Sequence, residues 1–424
     1  MNVEKRPIVA KFGGSSLANA ERIKRVKDIV EADSARKFIV VSAPGKGDPK
    51  NPLEQDKCTD LLIARDADTY KKRVREIGKE TGINTDNLLA EVDEAIESDN
   101  EDLVKSRGEW VMAKMVAKYI GAKFVDAADI IDFATYTADV AHLSDRGTYV
   151  IPGFYGTDRT TGAVRCFKRG GSDITGAIIA KAVGARIYEN WTDTDGVKTA
   201  DPRIVDDAKT IYKITYEEME GLAYRGAEVL QMNSVRPVRH ARIPIQVRNT
   251  FNPDHQGTRI VEQRISTKDE SILGIASKED FVSFQIGKPG MNEQLGAIKQ
   301  IAGIFADNGI SVEQGPGEMD SLSFICDAEK LKNGKVEDVM TQLHEEFEPE
   351  TLDIVDDIGL IAVVGQKIRK NATDINAALY SALKDAHIRT GAHIQPQAGT
   401  SIVFSVENRD VTRTVETLYD AFIR

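Results

Sequence analysis

Two pairs of adjacent glycines constrain this chain most, because each pair stands between a predicted strand and a predicted helix. Gly13-Gly14 follows an apolar run and precedes a segment in which apolar residues recur at helical spacing. Gly170-Gly171 repeats the arrangement later in the chain. A strand that runs through a glycine turn into a helix is the repeating unit of open α/β folds. The sequence therefore predicts an α/β domain that contains two such turns.

The residues beside the two turns predict an anion site. Adjacent glycines let backbone N–H groups approach an anion closely, and the start of a helix adds a partial positive charge. Lys11, before the first pair, adds a point charge suited to phosphate, whereas Arg169, before the second, offers a bidentate fork suited to a carboxylate. Neither turn matches GxxxxGK[ST] or GxGxxG, so the prediction depends on the two turns together.

Length and composition limit the other possibilities. A chain of 424 residues is expected to form two to four domains. The net charge of −11 argues against a nucleic-acid or membrane-surface partner, and no apolar run is long enough to span a bilayer. Three cysteines without a paired motif fit a reducing compartment and provide no structural zinc site. The cytoplasm is therefore the expected location.

Small and polar residues follow three further predicted strands. Ser42 ends one apolar run, Phe154 lies in the glycine turn after another, and Thr192 and Asp193 end a third. Ligand sites in open α/β sheets lie at the carboxyl ends of strands, so these residues are expected to share one site with the glycine turns. The loop at 194–203 suits either a purine site with Mg²⁺ nearby or an ordinary Asp-Gly turn.

Glu109 is a carboxylate in a mostly apolar segment, residues 109–120, which is predicted to be a helix that begins after Gly108. A carboxylate at a buried helix start needs a reason. It could complement the helix dipole, or it could recognise the ammonium group of a substrate. The sequence favours neither explanation over the other.

A series of motifs, in register from the N-terminus to about residue 260, resembles the aspartate kinases of the amino acid kinase family. The motifs are Lys11-Phe-Gly-Gly-Ser-Ser, Val40-Val-Ser-Ala, Thr59-Asp-Leu-Leu, Gly108-Glu109, Gly153-Phe, Arg169-Gly-Gly-Ser-Asp, Trp191-Thr-Asp, Thr199-Ala-Asp-Pro-Arg and Asn249-Thr-Phe-Asn-Pro…Gly257-Thr. The resemblance implies an amino acid kinase-like open α/β/α sandwich over residues 1–265. It also implies that MgATP phosphorylates the β-carboxylate of L-aspartate, with Mg²⁺ bound to the nucleotide rather than held in a protein cage.

The resemblance also implies roles for individual residues. Lys11 and Asp173 would be catalytic, and Lys11 would stabilise the transferring phosphoryl group. Arg169 would hold the substrate α-carboxylate and Glu109 its ammonium group. The pocket would be completed by Ser42, Thr59, Phe154 and Ser172, and the nucleotide would be bound by Lys11, Gly13, Gly14, Thr192, Asp193, Lys198 and Arg203.

This chain departs from the family pattern at several positions near the implied nucleotide site. Lys198 replaces a usual tyrosine, Glu228 a common lysine, Gln231-Met232 an often observed His-Pro, and Lys168 a usual glycine. Two alternative functions stay open. The chain could be another amino acid kinase, acting on glutamate, acetylglutamate or UMP, or it could be a catalytically silent amino-acid sensor.

The C-terminal region contains an internal repeat. Two predicted copies, 281–357 and 358–424, resemble the ferredoxin-like (βαββαβ) ACT modules that aspartate kinases carry in tandem. The second copy ends before its last strand, and Ser271–Ala276 is expected to supply it, because an unpaired sheet edge is a liability. The helix predicted at 293–308 places Leu295, Ile298, Ile301, Ala302 and Phe305 on one face.

The same resemblance implies assembly and regulation. A homodimer or homotetramer would form through the ACT modules, which could also serve as an assembly device that binds no ligand. If they bind an effector, lysine ranks first and threonine second. The residues expected to hold it are Met291, Asn292, Ser311, Val312 and Glu313, where the Glu313 carboxylate would pair with the ligand ammonium group.

Overall fold

The computed structural model describes residues 3–98, 100–143, 147–168, 170–223, 230, 232–265, 271–315, 317–397 and 399–424. The chain divides into two compact units. The first unit comprises Met1–Val197, Thr210–Met219 and Val229–Arg264, and the second comprises Lys198–Lys209, Glu220–Glu228 and Ile265–Arg424. Within the described ranges, no helix combines the length and the apolar content needed to cross a bilayer.

The first unit contains an eight-stranded sheet in the order β10-β12-β11-β9-β1-β2-β6-β3. It also contains a four-stranded sheet in the order β5-β4-β7-β8. The strands are β1 Ile8–Phe12, β2 Arg36–Val41, β3 Lys123–Phe124, β4 Ile131–Asp132, β5 Thr137–Ala138, β6 Tyr149–Pro152, β7 Tyr155–Thr157, β8 Val164–Cys166, β9 Ile187–Thr192, β10 Lys213–Thr215, β11 Ile245–Asn249 and β12 Thr258–Val261. The helices are α1 Ala20–Ala32, α2 Cys58–Ile63, α3 Ala67–Thr81, α4 Asp86–Glu97, α5 Glu101–Ile120, α6 Ala127–Ile130, α7 Gly171–Ala182, α8 Tyr216–Ala223, of which residues 220–223 belong to the second unit, and α9 Arg236–His240.

The central strands of the large sheet are parallel, so their carboxyl ends meet at one edge. The two predicted strand–Gly-Gly–helix units are confirmed: β1 leads to α1, and β8 leads to α7. The predicted apolar stripe of α1, formed by Ile23, Val26, Ile29 and Val30, is buried. Helices lie on both sides of the sheet, because Lys11 contacts α7 whereas Arg36, from β2, reaches the Ile29 carbonyl of α1 on the other side.

The second unit contains one six-stranded sheet in the order β14-β15-β13-β16-β18-β17. Its strands are β13 Gly274–Gly287, β14 Val312–Gln314, β15 Ser321–Asp327, β16 Thr351–Val364, β17 His393–Ile394 and β18 Ser401–Glu407. Its helices are α10 Ala297–Asp307, α11 Lys335–Gln342, α12 Ile368–Asp385 and α13 Val411–Phe422.

Two long strands are shared between the repeats of the second unit. Strands β13 and β16 pair with each other along most of their length, while β15 pairs with residues 281–287 and β18 with residues 358–364. The sequence predicts separate strands before and after residue 280, but in the structure both segments belong to one strand, β13. Asp280 and Asp357 have φ values of 66° and 57°, so each long strand is irregular where one repeat meets the next.

Each repeat has its own apolar core. The prediction for the first helix of this unit was partly wrong, since α10 begins only at Ala297, after Gly296 at φ 86°. Leu295 lies outside the helix and is fully exposed, and Ile298 is 62% exposed. The buried stripe contains Ile301 and Phe305 as predicted, together with Ala297 and Ile304.

Candidate active site

Lys11 lies near the carboxyl end of β1, and its side chain contacts the first turn of α7. Lys11 Nζ is 2.7 Å from Oδ1 of Asp173, and both side chains are largely buried. Asn190, which is paired with Lys11 across β1 and β9, donates to the same Asp173 oxygen at 2.9 Å. Paired residues on neighbouring strands face the same side of a sheet. The sheet register therefore brings the Lys11 ammonium group and the Asn190 amide to one carboxylate.

The first glycine turn lies beside the Lys11 ammonium group. A Cβ placed on Gly13 would lie 3.7 Å from Lys11 Nζ. The Gly13 N–H donates to the Trp191 carbonyl at 3.0 Å, so it belongs to the sheet edge. Gly14 and Ser15 open the 3-10 turn Gly14–Leu17, and the first N–H groups of such a turn have no partner within it. The binding of nucleotide phosphates by Gly13 and Gly14 stays a prediction.

Gly14 must be glycine because the loop after β2 passes directly against it. The Gly45 N–H donates to the Gly14 carbonyl at 2.8 Å. A Cβ on Gly14 would lie 2.8 Å from the Ala43 carbonyl oxygen and 3.0 Å from Gly45 Cα. Both neighbours are backbone atoms, so the two loops would have to separate to admit a methyl group.

We expect Gly14→Ala to lower kcat/KM for the nucleotide by about tenfold or more, because it would displace the main-chain amides that are predicted to bind phosphate and so disturb alignment. Steady-state kinetics with varied ATP would measure the loss. Gly303→Ala is the matched control, since a Cβ at this helical position meets no atom within 4 Å. Equal kinetics in both variants would contradict the close approach of the two loops.

A second wall of the site surrounds the start of α7. A Cβ on Gly153 would lie 2.6 Å from Ser172 Oγ, and Ser172 itself is 9% exposed. Phe154 has φ 79°, a strained conformation for a residue with a side chain, and its N–H donates to Thr175 Oγ1 at 3.0 Å. Strain of this kind occurs often at ligand sites, and here it places the Phe154 ring against Gly171.

Glu109 corrects the sequence prediction for its helix. The helix α5 begins at Glu101, where Asn100 caps it by accepting the Leu103 N–H, so Glu109 lies in the third turn rather than the first. The dipole of a helix start therefore cannot explain this carboxylate. Glu109 is 4% exposed, and its Oε2 has no hydrogen-bond partner among the residues that the structure describes. Burial raises the pKa of Glu109 to about 8, although the main-chain N–H groups of Ala43 and Glu109 lower it in part.

Thr59 lies near Gly108, the residue before Glu109. Gly108 packs against Ala43 and lies near Thr59, because a Cβ there would be 2.8 Å from Ala43 Cβ and 3.8 Å from Thr59 Oγ1. Ser42 comes directly before Ala43, and its N–H donates to the Phe12 carbonyl at 3.2 Å. The structure thus places the Ser42-Ala43 segment after β2 against α5 at Gly108 and Glu109, with Thr59 of α2 near Gly108.

The predicted nucleotide residues are only partly placed. Thr192 ends β9 beside the exposed Asp193, to which its hydroxyl donates at 3.2 Å. Lys198 and Arg203 belong to the segment Lys198–Lys209 of the second unit, where Arg203 pairs with Asp201 at 2.6 Å. Four residues named in the sequence analysis have side chains outside the described set, namely Arg169, Glu228, Gln231 and Met232. Their roles stay predictions.

A cavity of about 730 Å³ on the α1 side of the sheet is separate from these residues. Its wall includes Trp191, which packs between the guanidinium groups of Arg36 and Arg248. Arg36 also forms a buried ion pair with Glu189 at 2.7 Å. Of the predicted catalytic and substrate residues that the structure describes, none lines this cavity. It is therefore distinct from the site around Lys11.

Comparison with known proteins assigns the fold and the site to a family. Residues 6–249 match the amino acid kinase family. Aspartokinase 3 of Bacillus subtilis is 33% identical over an alignment that covers 98% of this chain and 98% of that protein. The chain belongs to the aspartokinases of the amino acid kinase family. Aspartokinase 1 of Arabidopsis thaliana chloroplasts is 29% identical, with coverage of 98% and 80%.

Solved structures of other aspartokinases share this fold. The aspartate kinase of Clostridium acetobutylicum, an allosteric enzyme, has a TM-score of 0.90 and 35% identity, covering 98% of this aspartokinase and 100% of that chain. Escherichia coli aspartokinase III, solved with lysine and aspartate, has a TM-score of 0.76 at 22% identity, covering 99% and 100%. Both carry the α/β kinase fold and the C-terminal ACT-type domains found here.

The residues predicted to bind an effector lie in the second unit of this aspartokinase. Met291 opens a 3-10 turn and is buried in the apolar core of the first repeat, which also contains Ile310. Val312 packs against this core. Glu313 follows on β14, and burial, with a smaller effect of Asp327, raises its pKa. Asn292 and Ser311 are exposed. Within the described ranges, no group of three His, Cys, Asp or Glu side chains is arranged to hold a metal ion.

Proposed function

We propose that this aspartokinase transfers the γ-phosphoryl group of MgATP to the β-carboxylate of L-aspartate and so forms 4-phospho-L-aspartate and ADP. The product would enter the synthesis of lysine, threonine and methionine. Membership in the aspartokinases supports the reaction, and the match to relatives along 98% of the chain supports it for both units. The catalytic unit would act in the cytoplasm.

The observation that carries the proposal is the Lys11–Asp173 pair beside the Gly13-Gly14 turn. Asp173 accepts from Lys11 Nζ and from Asn190 through the same oxygen, which fixes the direction of the ammonium group. An ammonium group has three donors, so Lys11 keeps two for other acceptors. The first glycine turn lies next to it at Gly13. This arrangement suits a phosphoryl group whose oxygens change their share of negative charge during transfer.

The chemistry needs no covalent enzyme intermediate and no general base. One β-carboxylate oxygen of aspartate attacks the γ-phosphorus, a new P–O bond forms, and the bond to the β–γ bridging oxygen breaks. ADP leaves with the electron pair of that bond. Lys11, the turn amides and Mg²⁺ carried by ATP would neutralise charge, while the pocket aligns the two substrates.

Substrate choice would depend on two charges of the amino acid. Glu109 is buried with an unpartnered oxygen, which suits a substrate ammonium group as its partner. Arg169 is proposed to hold the α-carboxylate, by resemblance to the family. An N-acylated amino acid has no ammonium group, so the buried Glu109 carboxylate argues against acetylglutamate.

An ADP-release assay with L-aspartate, L-glutamate, N-acetyl-L-glutamate and UMP tests the proposal. We expect turnover with MgATP and aspartate, and rates at least about tenfold lower with the other acceptors, because their charges or length do not match the site. Release of ADP with glutamate alone would identify another amino acid kinase. Binding of an amino acid without any ADP release would identify a silent sensor.

The ACT-type domains are proposed to provide feedback inhibition and assembly as a homodimer or homotetramer. An effector could inhibit only by favouring a less active arrangement, with a coupling of about 1–3 kcal/mol. Exposed apolar side chains of the second unit are consistent with assembly: they are Leu295, Ile298, Met319, Ile354 and Val355. Sedimentation of the purified chain would measure its oligomeric state.

We expect Glu313→Ala to relieve inhibition by lysine, while kcat without effector stays within about threefold of wild type. The Glu313 carboxylate is half-buried on β14, where its attraction to the ammonium group of a ligand is stronger than in solvent. Inhibition curves with lysine and threonine, separately and together, would measure the change.

Glu318→Ala is the matched control for Glu313→Ala, because Glu318 is an exposed carboxylate in the connection that follows β14 and leads to β15. Unchanged lysine inhibition in Glu313→Ala would place the effector elsewhere. If neither amino acid inhibits the wild type, the ACT-type domains serve assembly only.

A further inference from the structure

Arg73 is a fully buried cation in helix α3, in a position that the mechanism above does not use. Its side chain shares the inward face of the helix with Tyr70, Val74 and Ile77, and its exposed fraction is 0%. No carboxylate of the described residues lies within ion-pair distance of its guanidinium group. Burying a charge without an opposite charge destabilises the folded protein, so a residue of this kind is expected to serve a function.

The guanidinium group of Arg73 binds three backbone carbonyls from three separate segments. It donates to Asp56 at 2.5 Å, to Ala18 at 3.1 Å, and to Gly45. Carbonyl oxygens hold the fork in place but do not neutralise its charge. The Nε atom is buried and has no hydrogen-bond partner within the described part of the chain.

Each of these three segments carries part of the candidate active site. Ala18 ends the turn that starts at Gly13-Gly14. Gly45 packs against Gly14 through the hydrogen bond described above, and Asp56 comes just before α2, which carries Thr59. The Cys58 N–H, at the start of α2, donates to the Pro44 carbonyl at 2.9 Å. A single side chain therefore fixes the phosphate turn, the loop after β2 and the start of α2 relative to one another.

We propose that Arg73 is a positioning residue for phosphoryl transfer, acting through the Gly14–Gly45 contact, and that its uncompensated charge favours the binding of nucleotide phosphates. The inference rests on the proposed kinase function. The two roles are separable. The fork, which binds three carbonyls, sets the alignment of the phosphate amides and therefore kcat. The charge, which a lysine would retain, raises the affinity for MgATP.

Steady-state kinetics of Arg73→Lys and Arg73→Met test this division. Lysine keeps the charge but cannot bind three carbonyls in the same plane. We expect Arg73→Lys to lower kcat about tenfold with KM for MgATP within about threefold of wild type. Arg73→Met should lower kcat by a similar factor and also raise KM for MgATP about tenfold. Arg75→Met, an exposed arginine of the same helix, should leave both parameters unchanged.

Rescue of Arg73→Ala by added guanidinium separates positioning from stability. Low concentrations of ethylguanidinium should restore part of kcat, whereas the folded fraction measured by circular dichroism should not rise. Kinetic losses that vanish after correction for the folded fraction would overturn the proposal. If the methionine and alanine variants fail to fold, Arg73→Lys decides, and a folded Arg73→Lys enzyme with normal kcat overturns it.

Failure of the kinase assignment gives a different result from failure of this inference. A wild type that releases no ADP with any acceptor defeats the proposed function. An active wild type with an equally active Arg73→Met variant defeats only the role of Arg73.

Discussion

Replacing Lys11 with alanine is expected to lower kcat by about 10²-fold or more, while KM for aspartate changes far less. The Lys11 ammonium group is held by Asp173 beside the first glycine turn. Its charge is needed most when negative charge is redistributed over the transferring phosphoryl group, so its loss raises the barrier more than it weakens substrate binding. Initial rates of ADP release at saturating MgATP and aspartate would measure the change.

Lys118→Ala is a matched control for Lys11→Ala, because Lys118 is an exposed lysine near the end of α5. Melting curves must accompany the kinetics, since removal of Lys11 leaves the largely buried Asp173 carboxylate with only the Asn190 amide. A folded Lys11→Ala enzyme with near-normal kcat would remove the catalytic role of this residue. A rise in KM for aspartate with unchanged kcat would instead place Lys11 at the acceptor.

The glycine turns were predictable because their chemistry is local. Each requires a close approach of backbone atoms, and each begins a helix whose apolar spacing is visible in the sequence. The resulting prediction of helices after Gly13-Gly14 and Gly170-Gly171 agrees with α1 and α7. The sharing of two strands between the C-terminal repeats was less visible. Pairing of β13 with β16 joins residues far apart in sequence, and periodicity cannot show which segments pair.

The supporting residues of the site were missed for identifiable reasons. Arg73 stands on the apolar stripe of its helix with Tyr70, Val74 and Ile77, and a charged residue on such a stripe was the available signal. Asn190 is a single polar residue within a strand, and its hydrogen bond to Asp173 depends on its pairing with Lys11 across β1 and β9. For Glu109, the capping residue Asn100 was the signal that the helix begins eight residues earlier.

Glu109→Gln is expected to raise KM for aspartate about 10- to 100-fold, because a charge-assisted hydrogen bond in a buried site contributes about 1.5–3 kcal/mol. The nucleotide should bind nearly as before, since the Glu109 carboxylate accepts from the Ala43 main chain whereas Lys11 pairs with Asp173. Calorimetry with each ligand, together with steady-state kinetics, would measure both affinities. Glu101→Gln is the matched control, as Glu101 is an exposed carboxylate at the start of the same helix.

The pH dependence of aspartate binding gives this prediction its sharpest form. Burial raises the pKa of Glu109 from 4.5 to about 8 in the ligand-free protein, so at pH 7 the carboxyl group is mostly protonated. Only the ionised form pairs with an ammonium group. Therefore kcat/KM for aspartate should rise with pH up to about 8 and then level, and aspartate binding at pH 7 should release a proton. Glu109→Gln should remove both effects, and a pH-independent kcat/KM in the wild type would contradict the assignment.

The raised pKa of Glu109 also predicts that the folded protein without ligand loses stability as pH rises, whereas aspartate binding becomes stronger. Between the unfolded pKa of 4.5 and the folded pKa of about 8, the folded protein holds one proton more than the unfolded chain. The free energy of unfolding should therefore fall as pH rises through this window, by up to about 1.4 kcal/mol per pH unit, and stay low above it. Glutamine carries no charge to desolvate, so Glu109→Gln should be more stable than wild type at pH 9 when aspartate is absent. Aspartate should narrow the gap, because its ammonium group compensates the buried carboxylate of the wild type alone. Denaturant unfolding at pH 6 and pH 9, with and without aspartate, would measure these differences. A Glu109→Gln variant that is less stable than wild type at pH 9 without ligand would show that burial does not raise the pKa of Glu109.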